Sequence, residues 1–147
     1  MTLQQIYPAI IATLKAWPAL QAYVSSSNII EGVREGYPNF PVIVVEAGQN
    51  KVMEQKMPYE ILTETVIIGG FVQVYDKEHQ LSANQALLQL ENDIKAALSQ
   101  QSAQTLGLAD VYSVVCTSSQ RSNRDYPVRG FEMNVIVTYR QDRFQRN

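Results

Sequence analysis

Apolar residues recur at helical spacing in two segments of the chain, one at its start and one past its middle. The first segment, 2–17, has an apolar side made of Ile6, Ile10, Thr13, Leu14 and Trp17. The second begins with a capping-box pair, Ser82 and Gln85, and runs to about residue 99. Its apolar side is made of Ala83, Leu87, Leu90, Ile94 and Ala97. The pattern predicts two amphipathic helices that each bury one face.

Five other segments have the β-branched or alternating composition of strands. They cover 29–35, 42–46, 63–76, 110–120 and 128–140. The last segment alternates apolar and polar residues, as a half-buried antiparallel strand does. This strand and the segment 38–41 are the candidate edges of the sheet. Gly69 and Gly70 predict a bulge or a close backbone approach in the third strand. The order α-β-β-β-α-β-β predicts an α+β fold, a mostly antiparallel sheet of about five strands with two helices packed on one face.

Residues 48–62 have no clear period and carry charges of both signs. A connection this long inside a compact domain is usually functional or partly disordered. The alternative is the outer half of a long hairpin that leaves the body of the protein. The sequence therefore predicts either a long loop or an extended hairpin here.

Composition limits the class of protein. A chain of 147 residues with 46% apolar and 18% charged residues predicts one globular domain, 1–147. The net charge of −2 disfavours non-specific wrapping of nucleic acid. With one cysteine no internal disulfide is possible, and the N-terminus lacks the pattern of a signal peptide. Since no apolar run is long enough to cross a bilayer, we expect a protein that is made in a cytoplasm and has no membrane partner.

The sequence offers little catalytic chemistry. A lone histidine such as His79 is far more often a surface residue than a base, and with Asp76 and Glu78 it makes at most a weak cation site. One Cys and one His cannot form a zinc set, and no nucleophile motif accompanies them. We therefore expect no enzyme activity, no metal and no cofactor. An unrecognised active site around these three residues is the rival hypothesis.

The remaining candidate for function is a surface that binds another protein. Residues 110–147 carry six arginines, four acids and no lysine, and arginine is favoured where planar pairing with carboxylates is needed. A solvated hairpin end explains the same charges equally well. Eight tyrosines, many of them near loop ends, weakly favour an interaction protein because tyrosine joins a large apolar body to a polar tip.

The whole arrangement resembles the tail terminator, or tail completion, proteins of tailed bacteriophages. The similarity begins with a short N-terminal helix, LQQIYPAIIATLKAW, and a proline-led strand, NFPVIVVEAG. A long polar excursion follows, and then a strand that enters a helix, GGFVQVYDKEHQLSANQALLQLENDIKAAL. The closing strand, FEMNVIVTYR, ends in an aromatic residue and arginine. The resemblance covers about Ile6 to Arg140.

The resemblance implies a structural virion protein without catalytic residues. Terminators of this family form a ring, usually hexameric, which caps the head-proximal end of the tail tube, ends tube polymerisation and presents a surface for head joining. The implied partners are further copies of the chain, the tail tube protein and the head–tail connector, while DNA passes through the lumen without specific binding. The implied location is the virion tail, after assembly in the host cytoplasm.

On this hypothesis two regions contact a neighbouring subunit or the tube, the segment 48–62 and the arginine-rich end of the chain. The candidate interface residues are Gln49, Lys51, Met53, Glu54, Lys56, Tyr59, Arg121, Arg124, Arg129 and Arg140. Replacing 50–60 by a short Gly-Ser turn should leave a folded protein that fails to assemble. Two alternatives remain open, another neck or head-closure protein and, from a different class, a small-molecule binding α+β domain.

Overall fold

The computed structural model describes residues 2–32, 40–55, 57–73, 80–122 and 128–142. Its helices are α1 (Thr2–Ala16), the short α2 (Pro18–Gln21) and α3 (Gln80–Ser99), and 3-10 turns cover Ser26–Asn28 and Gln101–Ala103. Its strands are β1 (Ile29–Glu31), β2 (Val42–Gln55), β3 (Tyr59–Gln73), β4 (Val111–Ser122) and β5 (Val128–Asp142). The element order agrees with the prediction.

The five strands form one mixed sheet in the order β1-β2-β3-β5-β4. β1 runs parallel to β2, and all other neighbours are antiparallel. α1 and α3 pack against the sheet and against each other. This confirms the predicted α+β fold, with its mostly antiparallel sheet.

The prediction that the last strand is an edge is wrong. β5 pairs with β3 along one side and with β4 along the other, so it lies inside the sheet. The described edges are β1 and β4. Alternation along a strand reports which of its faces is buried, and it says nothing about which strands lie alongside. The other candidate edge, 38–41, falls largely outside the described residues.

The core lies between the helices and one face of the sheet. The apolar side predicted for β5 is buried throughout, as are the predicted core positions of α3 that are described. These positions are Phe131, Met133, Val135, Val137 and Tyr139 in β5, and Leu87, Leu90, Ile94 and Ala97 in α3. α3 begins at Gln80, so Ser82 lies in its first turn and not at the predicted cap.

Gly70 and Gly130 lie opposite phenyl rings in neighbouring strands. Gly70 pairs with Phe131, and Gly130 pairs with Phe71. A Cβ at Gly70 would lie 2.5 Å from the Phe131 ring, and one at Gly130 would lie 2.6 Å from the Phe71 ring. The strand register is regular here, so the predicted bulge is absent, and a phenyl ring lies next to Gly70 in place of the predicted close backbone approach.

The segment 48–62, called the arm below, forms the outer half of the hairpin made by β2 and β3. The extended-hairpin alternative is therefore confirmed. β4 begins opposite Tyr139, so beyond that pair the sheet narrows to β2, β3 and the end of β5. Two register shifts, Ala47/Asn50 and Val52/Glu54, interrupt the alternation of β2. They explain why the sequence of the arm shows no clear period.

Candidate assembly surface

The arm exposes most of the residues that the sequence analysis assigned to an interface. Gln49, Lys51, Met53 and Glu54 are exposed on β2. The structure adds two apolar neighbours that the sequence analysis did not select, Val52 and Met57. Their exposed fractions are 42% and 68%, against 58% for Met53. The outer arm thus presents apolar side chains next to charged ones. Lys56 lies outside the described residues.

Tyr59 and Arg140 meet where the arm joins the end of β5. The Arg140 guanidinium lies 5.3 Å from the centre of the Tyr59 ring, which is cation–π geometry. Arg140 also donates to the Asp110 carboxylate at 3.3 Å, and its backbone N–H donates to the Asp110 carbonyl at 2.8 Å. These contacts tie the root of the arm to the loop before β4. The structure thus brings together two predicted interface residues that are 81 positions apart.

Arg121 and Arg129 lie at the opposite end of the sheet. Arg121 donates to the Glu91 carboxylate of α3 at 2.6 Å, and Arg129 donates to the Asn84 side-chain oxygen of the same helix. Both arginines therefore have partners within the chain. Their role in an interface stays a prediction, and Arg124 lies outside the described residues.

The Glu91 carboxylate is nearly buried, and its charge is compensated locally. Burial acts to raise its pKa, but hydrogen bonds from Ser119 and Arg121, together with the charge of Arg121, outweigh burial, and the pKa of Glu91 is lowered. The pair therefore joins α3 to β4 at the end of the sheet away from the arm.

Four polar side chains meet at the root of the arm, where Tyr7, Glu64 and Tyr139 are buried and Asn50 is exposed. Glu64 of β3 is only 5% exposed. The hydroxyl of Tyr7 in α1 donates to one of its carboxylate oxygens, and the Asn50 amide of β2 donates to the other at 2.8 Å. The same amide also donates to the Tyr139 hydroxyl of β5 at 2.8 Å. One helix and three strands are therefore joined where the arm leaves the body. We call these four residues the root cluster.

Both tyrosines of the root cluster have a raised pKa, mainly because they are buried. Burial is the main reason that the pKa of Tyr7 is raised, and the hydrogen bond to Glu64 and the charge of Glu64 raise it further. Burial also raises the pKa of Tyr139, although the hydrogen bond from Asn50 acts in the opposite direction. Each hydroxyl therefore keeps its proton across the neutral range.

The sequence contains a signal for the root cluster that the sequence analysis missed. Glu64 lies in phase with Leu62 and Val66, so the two-residue period of β3 places a carboxylate on the buried face. A buried carboxylate needs hydrogen-bond donors. Which residues supply them depends on the tertiary structure, since Tyr7 is 57 positions away.

A groove of about 490 Å³ runs between α1 and the loop that follows α3. Its lining is mostly small or apolar and includes Ala9, Ala12, Ala16, Trp17, Ala103 and Leu106. Within the described part of the chain, the Trp17 indole nitrogen is buried without a hydrogen-bond partner. The groove is open to solvent.

Two further observations concern the described residues alone. None of their helices combines the length and apolar character needed to cross a membrane. No group of three or more His, Cys, Asp or Glu side chains converges among them. The rival active site at Asp76, Glu78 and His79 lies outside the described residues.

Comparison with known proteins gives a structural likeness only. No protein-family model matches the chain, and no curated protein matches it. Among solved structures, the chain is similar to one from a "virion of native gene transfer agent (GTA) particle", with a TM-score of 0.59 and 14% sequence identity. The match covers 92% of this chain and 95% of that one. At this identity, the likeness shows that the two chains share a fold over nearly their full lengths.

Proposed function

We propose that this protein is a structural subunit of a phage-type virion, and specifically a tail terminator. In this role, six copies of the chain form a ring on the head-proximal end of the tail tube. The ring ends tube growth and offers a surface to the head–tail connector. The observation that carries the proposal is the arm, a projecting hairpin that exposes apolar side chains. The fold shared with a chain of a gene transfer agent virion supports the virion role.

The arm has the composition of a contact surface. Val52, Met53 and Met57 expose apolar side chains on a narrow projection of the sheet. Covering such side chains with another protein is favourable because it removes apolar area from water. Methionine suits this role because its flexible thioether chain adapts to an irregular partner surface. Contact of the arm with another protein is therefore more favourable than its exposure to water.

A ring also needs an arm whose direction is fixed. Subunits that contact head to tail close into a ring only when the rotation between neighbours divides a full turn. The root cluster joins β2, β3 and β5 to α1 at the base of the arm, and Arg140 joins the arm to the loop before β4. These contacts hold the arm at one angle to the body. Such pre-organisation lowers the entropic cost of association.

The test is native mass spectrometry over a range of protein concentrations, with and without tail tubes. Six chains of 16.6 kDa give a ring of about 100 kDa. We expect Met53→Asp to abolish ring formation and tube capping, because it places a charge inside the contact. Leu88→Asp is the matched control, since Leu88 is 43% exposed on α3, away from the arm.

Two results would contradict the proposal. One is a chain that stays monomeric in solution and also fails to bind tail tubes. The other is a Met53→Asp protein that forms rings and caps tubes as well as the Leu88→Asp control. A ring that binds the connector but leaves tube length unchanged would favour the head-closure alternative.

A further inference from the structure

We infer that Tyr7 is the positioning residue of the arm, and that its hydroxyl sets the direction in which the arm leaves the body. The consequence for ring closure rests on the proposed function. Beyond Tyr139 the sheet narrows to β2, β3 and the end of β5, and narrow ribbons of strands twist more strongly than wide sheets. The direction of the arm therefore depends on the contacts at its base.

A β-bulge lies at the base of the arm. Two residues of β2, Gly48 and Gln49, face the single residue Thr65 of β3. An extra residue of this kind bends its strand and leaves a backbone group without a partner in the ladder. The conformation of the bulge therefore decides the course of β2 where the arm begins.

Tyr7 binds the bulge and the facing strand through one oxygen atom. The Gly48 backbone N–H donates to the Tyr7 hydroxyl, and the same hydroxyl donates to the Glu64 carboxylate. Gly48 belongs to β2 and Glu64 to β3, so a single hydroxyl joins both strands of the hairpin. The bulge is also tightly packed, since a Cβ on Gly48 would overlap the Thr65 carbonyl oxygen.

The Tyr7 side chain is fixed to the body of the protein. On the buried side of α1, Ile6, Ile10 and Leu14 are fully buried in the core. Tyr7 is 9% exposed and belongs to the same core cluster. Close packing of this kind leaves little room for the ring to move. The hydrogen bonds of Tyr7 therefore tie the base of the arm to the helix layer.

A distance measurement within one chain tests the inference without assembly. In a Cys116→Ser background, spin labels at Gln55→Cys on the arm and Leu88→Cys on α3 report the distance between arm and body by pulsed electron paramagnetic resonance. Both sites are exposed. Excess unlabelled protein ensures that each labelled chain reports only on itself. Tyr7→Phe keeps the aromatic ring and removes both hydrogen bonds, so we expect a broader distance distribution.

Tyr23→Phe is the matched control. The Tyr23 hydroxyl donates to the Asp93 carboxylate of α3 at 2.6 Å, so this variant also removes a hydrogen bond between a tyrosine and a carboxylate. The bond lies within the body, and the arm should keep its wild-type distance distribution. The comparison therefore separates the direction of the arm from a general loss of stability.

Gly48→Ala tests the bulge itself. Its methyl group would overlap the Thr65 carbonyl oxygen, so the strands must shift, and we expect the mean distance between the labels to change. Gly69→Ala is the control, because the atom nearest to its methyl group is a side-chain atom of Phe71 at 3.3 Å. An unchanged mean distance in Gly48→Ala would contradict the inference.

The effect on assembly follows from the cost of ordering the arm again on contact. Tyr7→Phe should raise the concentration at which half of the protein forms rings by about tenfold, whereas Tyr23→Phe should leave it unchanged. Native mass spectrometry of both variants measures these concentrations. Rings of Tyr7→Phe at the wild-type concentration would show that ring closure does not depend on the Tyr7 hydroxyl.

The outcomes separate this inference from the proposed function. A broader distance distribution in Tyr7→Phe than in Tyr23→Phe supports the inference. Equal distributions in the two variants overturn it, and the ring proposal stands if the wild type forms rings. If only Tyr7→Phe broadens the distribution but the wild type neither forms rings nor binds tail tubes, the positioning role stands and the proposed function is overturned.

Discussion

At the scale of single residues, the root cluster makes stability depend on a buried carboxylate, Glu64. Glu64 places a carboxylate among apolar side chains, and that placement is tolerable only because Tyr7 and Asn50 donate to both of its oxygens. Removing Glu64 leaves the buried Tyr7 hydroxyl without the carboxylate that accepts its hydrogen bond, which costs more than a hydrogen bond contributes. The cluster therefore fixes the arm and also makes the protein sensitive to change at this point.

Glu64→Ala should lower the free energy of unfolding by about 1–3 kcal/mol, because the buried Tyr7 hydroxyl loses its acceptor, while the exposed Asn50 still donates to Tyr139. Urea unfolding at pH 7 measures the change. Glu132→Ala is the control, since Glu132 is an exposed carboxylate on the same sheet, and it should cost less than about 0.5 kcal/mol. Equal losses in the two variants would show that the cluster contributes no special stability.

The raised pKa of Tyr7 predicts that the folded protein loses stability in alkaline solution. Burial, and after it Glu64, raises the pKa of Tyr7 in the folded protein, and burial followed by Asp93 does the same for Tyr23. A raised pKa contributes stability that is fully present below the unfolded value of about 10 and is lost as the pH rises above it. Unfolding in urea at pH 8 and pH 11 should show this loss. Tyr7→Phe should be less stable at pH 8 and should lose less between the two values, and an unchanged pH dependence would contradict the assignment.

At the scale of elements, the pair of Gly70 and Phe131 decides how closely β3 and β5 pack with α3. The Phe131 ring covers Gly70, and the Leu90 side chain of α3 lies 3.0 Å from the place that a Cβ on Gly70 would take. The ring therefore fills the space of the missing side chain. This pair places a large residue against a small one, which lets the sheet and α3 interlock without a void.

Gly70→Ala should destabilise the protein by about 2 kcal/mol, because the new methyl group overlaps the Phe131 ring and forces repacking. Gly69→Ala is the matched control in the same strand, where the nearest atom of Phe71 is 3.3 Å away and less movement is needed. Thermal or urea unfolding of both variants shows which of the two is less stable. A Gly70→Ala protein as stable as Gly69→Ala would show that the Phe131 ring moves aside at little cost.

At the scale of the whole molecule, the body and the arm have separate tasks. The body buries a core between two helices and one face of the sheet, whereas the outer arm contributes few buried residues. Stability should therefore depend on the body and assembly on the arm. The sequence analysis placed the cut for an arm deletion at 50–60, but Asn50 belongs to the root cluster. The deletion must begin after it.

Replacing residues 53–61 by Asn-Gly connects Val52 to Leu62, which already face each other across the hairpin. Asn-Gly is the preferred sequence for a two-residue hairpin turn, so the shortened strands can still pair. We expect a protein with a wild-type circular dichroism spectrum and cooperative unfolding that forms no rings and does not cap tubes. Rings of the variant in native mass spectrometry would show that the arm is not the assembly element.

The sequence by itself determined the order of the helices and strands and the buried faces of α3 and β5. Phe131 to Tyr139 and Leu87 to Ala97 repeat with the period of their element, and each period is set by local backbone geometry. The tertiary structure alone decided which strands are neighbours, that β5 is central, and that Arg121 and Arg140 lie at opposite ends of the sheet. It also decided the partners of Glu64 and Tyr139, because Asn50 and Tyr139 are 89 positions apart and no local pattern links them. A period records burial within one element, whereas a contact between distant residues exists only after the elements have packed.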